Sequence, residues 1–146
     1  MHTGFDYINK LNIIDIADRS SIDLEDRINL LAMEMKHRIP CWGYSLKDDY
    51  KKIVFITDTC YTNNCILLAK KANVLIHEAT YSNKYADKAM KHFHTTDLQA
   101  MEVADKAQVE RLILTHFSQR LKKADLAKWV WKGQSCVVFD ERQNII

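Results

Sequence analysis

Residues 53–80 read IVFITDTCYTNNCILLAKKANVLIHEAT, and the reading of this stretch decides the fold class. Two short apolar runs, Ile53 to Thr57 and Val74 to Ile76, have the length of buried strands, and Asn64 to Lys71 between them reads as a helix. A third run of the same kind, Leu112 to Thr115, follows a second helical stretch, Leu98 to Ala107. The start of that helix, Thr96-Asp97-Leu98-Gln99, spaces Thr and Gln as a capping box does. Strands alternating with helices predict an α/β layer. Each strand ends on residues that carry chemistry: Asp58, His77 with Glu78, and His116. In α/β folds the loops after the strands converge on one edge of the sheet, so this placement itself predicts a site.

Outward from this stretch the pattern is less regular. Leu11 to Ile16 and Ile28 to Met35 are rich in Ile and Leu and read as two strands of a hairpin or meander, separated by the polar segment Asp18 to Asp26. The single proline, Pro40, pushes Ile39 to an extended conformation and sets His37 at a strand end. A last helix, Asp125 to Trp131, and a last strand, Cys136 to Phe139, are expected to complete the layer, with Trp129 and Trp131 as packing residues.

At 146 residues the chain has the length of one domain, and 47% hydrophobic with 27% charged residues excludes a disordered or low-complexity protein. A net charge of +2 is too small to announce nucleic acid through bulk charge, so an anionic partner must be recognised locally. The apolar runs are too short to span a bilayer, which predicts a soluble, cytoplasmic protein. Cys41, Cys60, Cys65 and Cys136 form no CxxC pair and are expected to be reduced. His77, His92, His94 and His116 crowd the second half, and chemistry is expected there.

Four segments together resemble the C-terminal half of ribonuclease Z, the metallo-β-lactamase-fold endonuclease that removes 3′ trailers from precursor tRNA. They are Lys36-His37-Arg38-Ile39-Pro40-Cys41-Trp42-Gly43-Tyr44, Phe55-Ile56-Thr57-Asp58-Thr59, Leu75-Ile76-His77-Glu78-Ala79-Thr80 and Leu114-Thr115-His116-Phe117-Ser118-Gln119-Arg120. His94-Thr95-Thr96-Asp97-Leu98-Gln99-Ala100 is similar to that family's His-Ser-Thr followed by Gln-Ala. The resemblance covers about residues 10 to 140 and implies half of an αββα sandwich, with one mixed sheet and flanking helices over a single partial domain, 1–146. The sequence departs from the family in lacking the His-x-His-x-Asp-His motif of its N-terminal half.

By this resemblance two zinc ions would be bridged by Asp58, with His37 on one and His116 on the other. Glu78 would orient His94, which would stabilise charge or donate a proton to the leaving oxygen. Arg120 would contact substrate phosphate, with precursor tRNA or another phosphodiester as substrate. His77 is expected to be structural, pointing to the opposite face from Glu78. His92-Phe93-His94-Thr95-Thr96-Asp97 imitates the missing motif, but its Asp falls one residue late and Leu98 stands where a His belongs.

Three readings remain open at this point. The first is a zinc phosphodiesterase of the ribonuclease Z type. The second is a catalytically incomplete chain that acts through association, either a homo-oligomer or one joined to an N-terminal-half partner. The third is a relative with another substrate, such as a cyclic nucleotide phosphodiesterase, an arylsulfatase or a lactonase. Two protein ligands per ion fall short of the three plus an open position that catalytic zinc requires.

Overall fold

The computed structural model describes residues 17–24 and 27–136. Six strands form one mixed sheet in sequence order: β1 (Ser21–Leu24), β2 (Ile28–Met35), β3 (Cys41–Lys47), β4 (Lys52–Ile56), β5 (Val74–Glu78) and β6 (Arg111–Thr115). The pairs from β1 to β4 are antiparallel, whereas β4, β5 and β6 run parallel. Parallel neighbours need crossovers. The first crossover carries α1 (Asn63–Ala69), and the second carries α2 (Ala86–Lys91) and α3 (Asp97–Lys106). Because the order β4-β5-β6 advances in one direction, two crossovers of the same hand put α1 and α3 on the same face of the sheet.

That face is the core. Met33, Met35, Val54, Ile56, Leu75, Leu112 and Leu114 point into it from the strands and meet Cys65, Leu68, Ala100, Val103 and Ala104 from the helices. Gly43 is required by the closeness of α1. A Cβ there would lie 2.7 Å from the Met35 Cε and 2.8 Å from the Leu68 Cδ2. The other face stays open among the described residues. Tyr44 and Leu46 lie opposite Phe55 and Ile53 in register, and Ile53 and Phe55 each keep 44% of their surface exposed.

The α/β alternation, both central helices and the capping box agree with the sequence reading, and the periphery departs from it. The strand expected at Leu11 to Ile16 lies outside the described residues, as does the expected strand Cys136 to Phe139 beyond its first residue. The polar segment Asp18 to Asp26 contains a strand, β1, because Ile22 and Leu24 alternate with Ser21 and Asp23 and pack half-buried against β2. The helix expected over Asp125 to Trp131 shrinks to one turn, α4 (Lys123–Leu126). Val130–Trp131 instead forms β7 and pairs with Gln134–Ser135, β8. Lys132 and Gly133 both have positive φ, 47° and 76°, the signature of a tight hairpin turn. The tryptophans are packing residues. Trp129 meets the Phe117 ring edge-on, and the Trp131 indole N–H donates to Asp105.

Candidate metal centre at the carboxyl ends of the strands

Register brings the candidate residues together. Ile56, His77 and Leu114 are level across β4, β5 and β6, so Asp58, Glu78 and His116 emerge side by side where these strands end. Asp58 and His116 both adopt left-handed backbone, with φ of 49° and 56°. Asp and His tolerate this region better than most residues, yet it still costs about 1–2 kcal/mol. Two such turns, at the ends of the two strands that flank β5, aim both side chains at one point, which is the kind of strain that functional sites retain. Phe93, with φ of 62°, turns the chain just before His94.

Glu78 organises the centre. Its buried carboxylate accepts from the Thr59 N–H at 2.7 Å, the Thr95 N–H at 3.1 Å, the Thr80 N–H at 3.3 Å and the Thr80 hydroxyl at 2.7 Å. The His94 Nδ1 donates to it at 3.0 Å. Burial by itself raises the Glu78 pKa, but these donors, His94 foremost, outweigh it and hold the carboxyl below its usual range. The hydrogen bond to Glu78 raises the His94 pKa against the opposing effect of burial, and the Glu78 and Asp58 charges add to the rise. Each partner therefore favours the charged form of the other.

The imidazoles share one arrangement. The His37 Nδ1 lies 3.0 Å from the Phe93 carbonyl oxygen, the His94 Nδ1 3.0 Å from Glu78, and the His116 Nδ1 2.8 Å from the Thr80 hydroxyl. Outer partners that occupy one ring nitrogen set the tautomer and ring orientation and leave the Nε2 atom facing the site. The rings stand in a row, with centroids 5.2 Å apart from His37 to His94 and 5.4 Å from His94 to His116. The His116 Nε2 is 3.3 Å from the Asp58 Oδ1.

Asp58, Glu78, His94 and His116 each bring one ligand-type atom within 4.8 Å of the others. Imidazole nitrogen and carboxylate oxygen form a donor set suited to zinc, so these residues fit a metal ion. His37 stands outside that group of four, beside His94. Glu78 is already saturated by five donors, which suits it to orient rather than to ligate.

Arg120 lies outside the cluster. It lines an adjacent cleft with Thr80, Tyr81, Lys84, Tyr85 and Lys88. His77 is buried, with its Nδ1 2.8 Å from the Glu78 carbonyl oxygen. His92 is exposed and stacks on Tyr81, and Asp97 accepts from the Asn83 N–H, so the sequence that imitates the missing motif does not converge on the site. Sequence reasoning missed Thr80 as an organiser and the tyrosines and lysines of the cleft. Thr80 closes the Leu75 to Thr80 segment, but only the fold reveals its three-way contact with Glu78, His94 and His116.

Residues 2–117 match the family described as "Beta-lactamase superfamily domain". Ribonuclease BN of Proteus mirabilis is 27% identical over 183 aligned residues, which take in 91% of this chain and 59% of that protein. Ribonuclease Z of Picosynechococcus is 47% identical over 70 residues, 48% of this chain and 22% of that protein. The chain thus spans between 22% and 59% of the length of these two relatives. The crystal structure of the short form of human tRNase Z superposes with a TM-score of 0.62 at 37% identity, covering 68% of this chain and 39% of that one. The metallo-β-lactamase-fold protein YhfI of Bacillus subtilis superposes with a TM-score of 0.74 at 20% identity over 83% of this chain and 50% of that one, and so shares the fold.

Proposed function

The chain belongs to the beta-lactamase superfamily, its mixed sheet and helices forming one layer of the αββα fold, and from that premise we propose that it is the C-terminal part of a zinc-dependent phosphodiesterase of the ribonuclease Z type, acting in the cytoplasm on the 3′ end of precursor tRNA. The observation that carries this reading is the set of three imidazoles, each held through Nδ1, beside the Asp58 carboxylate. The likeness to the ribonuclease Z of Picosynechococcus and to the human tRNase Z structure supports the substrate class.

In this reading Asp58, His37 and His116 hold the metal. Zinc bound there would supply a Lewis acid for the phosphoryl oxygens and acidify an attacking water. His94, whose pKa the hydrogen bond to Glu78 raises, presents its Nε2–H to the leaving oxygen and gives up that proton as the phosphorus–oxygen bond breaks. Arg120 binds a phosphate oxygen of the substrate from the neighbouring cleft. Two protein ligands per ion are too few for tight binding, so a segment bearing His-x-His-x-Asp-His must complete the site.

The chain alone should bind zinc weakly and leave bis-p-nitrophenyl phosphate and precursor tRNA uncut. Joined to such a segment it should hydrolyse both. Zinc content and turnover measured on the same samples test the roles. Asp58→Ala, His37→Ala and His116→Ala should lose metal and activity together, whereas His94→Ala should keep zinc and slow turnover by about 10²- to 10⁴-fold. A joined protein that loads zinc and cuts neither substrate would overturn the reading. The exposed Ile53 and Phe55 on the open sheet face favour a second reading, in which the chain acts by association and never completes its own site.

A further inference from the structure

Beside the metal centre lies a cleft that the chemistry of bond cleavage does not use. It begins at Thr80, whose hydroxyl touches Glu78 and His116, and continues past Lys84, Tyr85, Lys88 and Arg120. Its two walls are tied together where the Ser118 N–H donates to the Thr80 carbonyl oxygen at 3.1 Å, which folds the segment carrying Arg120 back against the end of β5. The opposite wall is the short helical stretch Asn83–Tyr85 and the first turns of α2.

The charges in the cleft are out of balance. The Lys84 Nζ lies 5.0 Å and the Lys88 Nζ 5.2 Å from the centroid of the Tyr85 ring, so two ammonium groups crowd one aromatic face region. Neither lysine, nor Arg120, meets a carboxylate within ion-pair distance among the described residues. Asp125 is the acidic residue lining the cleft, and it is paired with Lys128 at 3.7 Å. Like charges gathered without counter-charge favour an anion, and the half-exposed Tyr85 ring between them offers a flat surface to an aromatic group. An anion and a flat ring in alternation describe a single-stranded nucleic acid, whose backbone follows the cations while a base stacks.

We propose that this cleft is a subsite for the single-stranded RNA next to the scissile bond, with Lys84, Lys88 and Arg120 contacting backbone phosphates and Tyr85 stacking on a base. The proposal rests on the phosphodiesterase reading for the identity of the strand, and to Arg120 it adds Lys84, Tyr85 and Lys88, to which neither the family likeness nor the metal centre gives a role. Thr80 links the two places, since it lines the cleft and bonds to the ligand set at once. A second basic group, Lys51, Lys52, Lys70 and Lys71, gathers near the opposite ends of the parallel strands and provides an internal control.

The test is fluorescence anisotropy of a labelled eight-nucleotide single-stranded RNA against the full chain, across a salt series, with zinc content measured on each protein. Lys84→Ala/Lys88→Ala should weaken binding about tenfold or more and flatten the log–log salt slope by about 1.4, the value for two phosphates on a single strand. Tyr85→Ala should weaken binding by about 5- to 150-fold without changing the slope, corresponding to a stacking loss of about 1–3 kcal/mol. Lys51→Ala/Lys70→Ala should leave affinity intact. All of these side chains are exposed, so urea midpoints should stay level and exclude a folding defect. Binding indifferent to Lys84, Lys88 and Tyr85, or equally weakened by the control pair, overturns the proposal. Displacement of the RNA by millimolar inorganic phosphate with no dependence on Tyr85 overturns it too, since that marks a plain anion site. A chain that takes up no zinc in the joined form but still needs Tyr85 for RNA sinks the hydrolase reading and spares the subsite. Full zinc loading and turnover with RNA binding indifferent to the cleft does the reverse.

Discussion

The Thr80 hydroxyl has one proton and four polar neighbours. Its Oγ1 lies 2.7 Å from the Glu78 Oε2, 2.8 Å from the His116 Nδ1, 3.0 Å from the His116 carbonyl oxygen and 3.3 Å from the His94 Nδ1. The shortest contact, to the ionised Glu78, takes the proton, and the oxygen then accepts from the His116 Nδ1–H, which frees the His116 Nε2 for a metal. Thr80→Val removes donor and acceptor together. It should lower zinc affinity about 10- to 100-fold and cost about 1–3 kcal/mol of stability, while Thr80→Ser should restore both, as read by competition with a zinc chelator and by urea unfolding. Unchanged zinc affinity in Thr80→Val would remove the hydroxyl from the site. The Glu78–His94 pair predicts a pH dependence for the metal-free chain. Because the His94 pKa is raised, its contribution to stability is complete below the ordinary imidazole value of about 6.5 and fades as pH rises through the raised value. Because the Glu78 pKa is lowered, its contribution is present above the ordinary carboxyl value of about 4.3 and is lost as pH falls through the lowered one. The deficit of Glu78→Gln should therefore be greatest, on the order of 3 kcal/mol, between about pH 4.5 and 6.5, and should shrink toward pH 9. Urea titrations at pH 5.5, 7.0 and 8.5 measure it, and a deficit that grew with pH would contradict the pairing.

Among the elements, α3 links packing to the site. The Gln99 N–H donates to the Thr96 hydroxyl at 3.3 Å and the Thr96 N–H to the Gln99 Oε1 at 3.0 Å, which closes the capping box. The residue before the cap, Thr95, donates its N–H to Glu78, so the helix start and the buried carboxylate are set by adjacent peptides. The covered face of α3 puts Ala100, Val103 and Ala104 into the core. Thr96→Ala should cost about 1 kcal/mol, seen as a lower urea midpoint at constant m, and should leave zinc uptake unaltered because Glu78 keeps its donors. A loss of zinc with this substitution would mean that the cap, not β5, positions Glu78.

For the whole molecule the open sheet face is the dominant feature. Leu46, Ile53 and Phe55 are 42% to 44% exposed there and lie against one another across β3 and β4. A contiguous apolar face of this kind calls for cover by another polypeptide surface. Sedimentation velocity should show the chain on its own as a self-associated species, and Ile53→Lys/Phe55→Glu should turn it into a monomer with its helical circular dichroism intact. A wild-type chain that sediments as a monomer and binds no dye for exposed apolar surface would refute this.

What the sequence determined by itself was local. Runs of three or four apolar residues ahead of Asp58, Glu78 and His116 specify strands and their polar ends, and the Thr96 to Gln99 spacing specifies a helix start, because each pattern depends on neighbours within a few residues. The edges were harder to read, since β1 is a half-buried edge strand amid polar residues and the β7–β8 hairpin overrides a helix-like composition through a positive-φ turn at Lys132 and Gly133. Tertiary structure decided the geometry of the convergence. Parallel register levels β4, β5 and β6, left-handed backbone at Asp58 and His116 aims their side chains together, and Thr80, fourteen residues from His94 and thirty-six from His116, reaches both. These are long-range contacts, fixed when helices and strands bury a shared face, and no spacing along the chain encodes them.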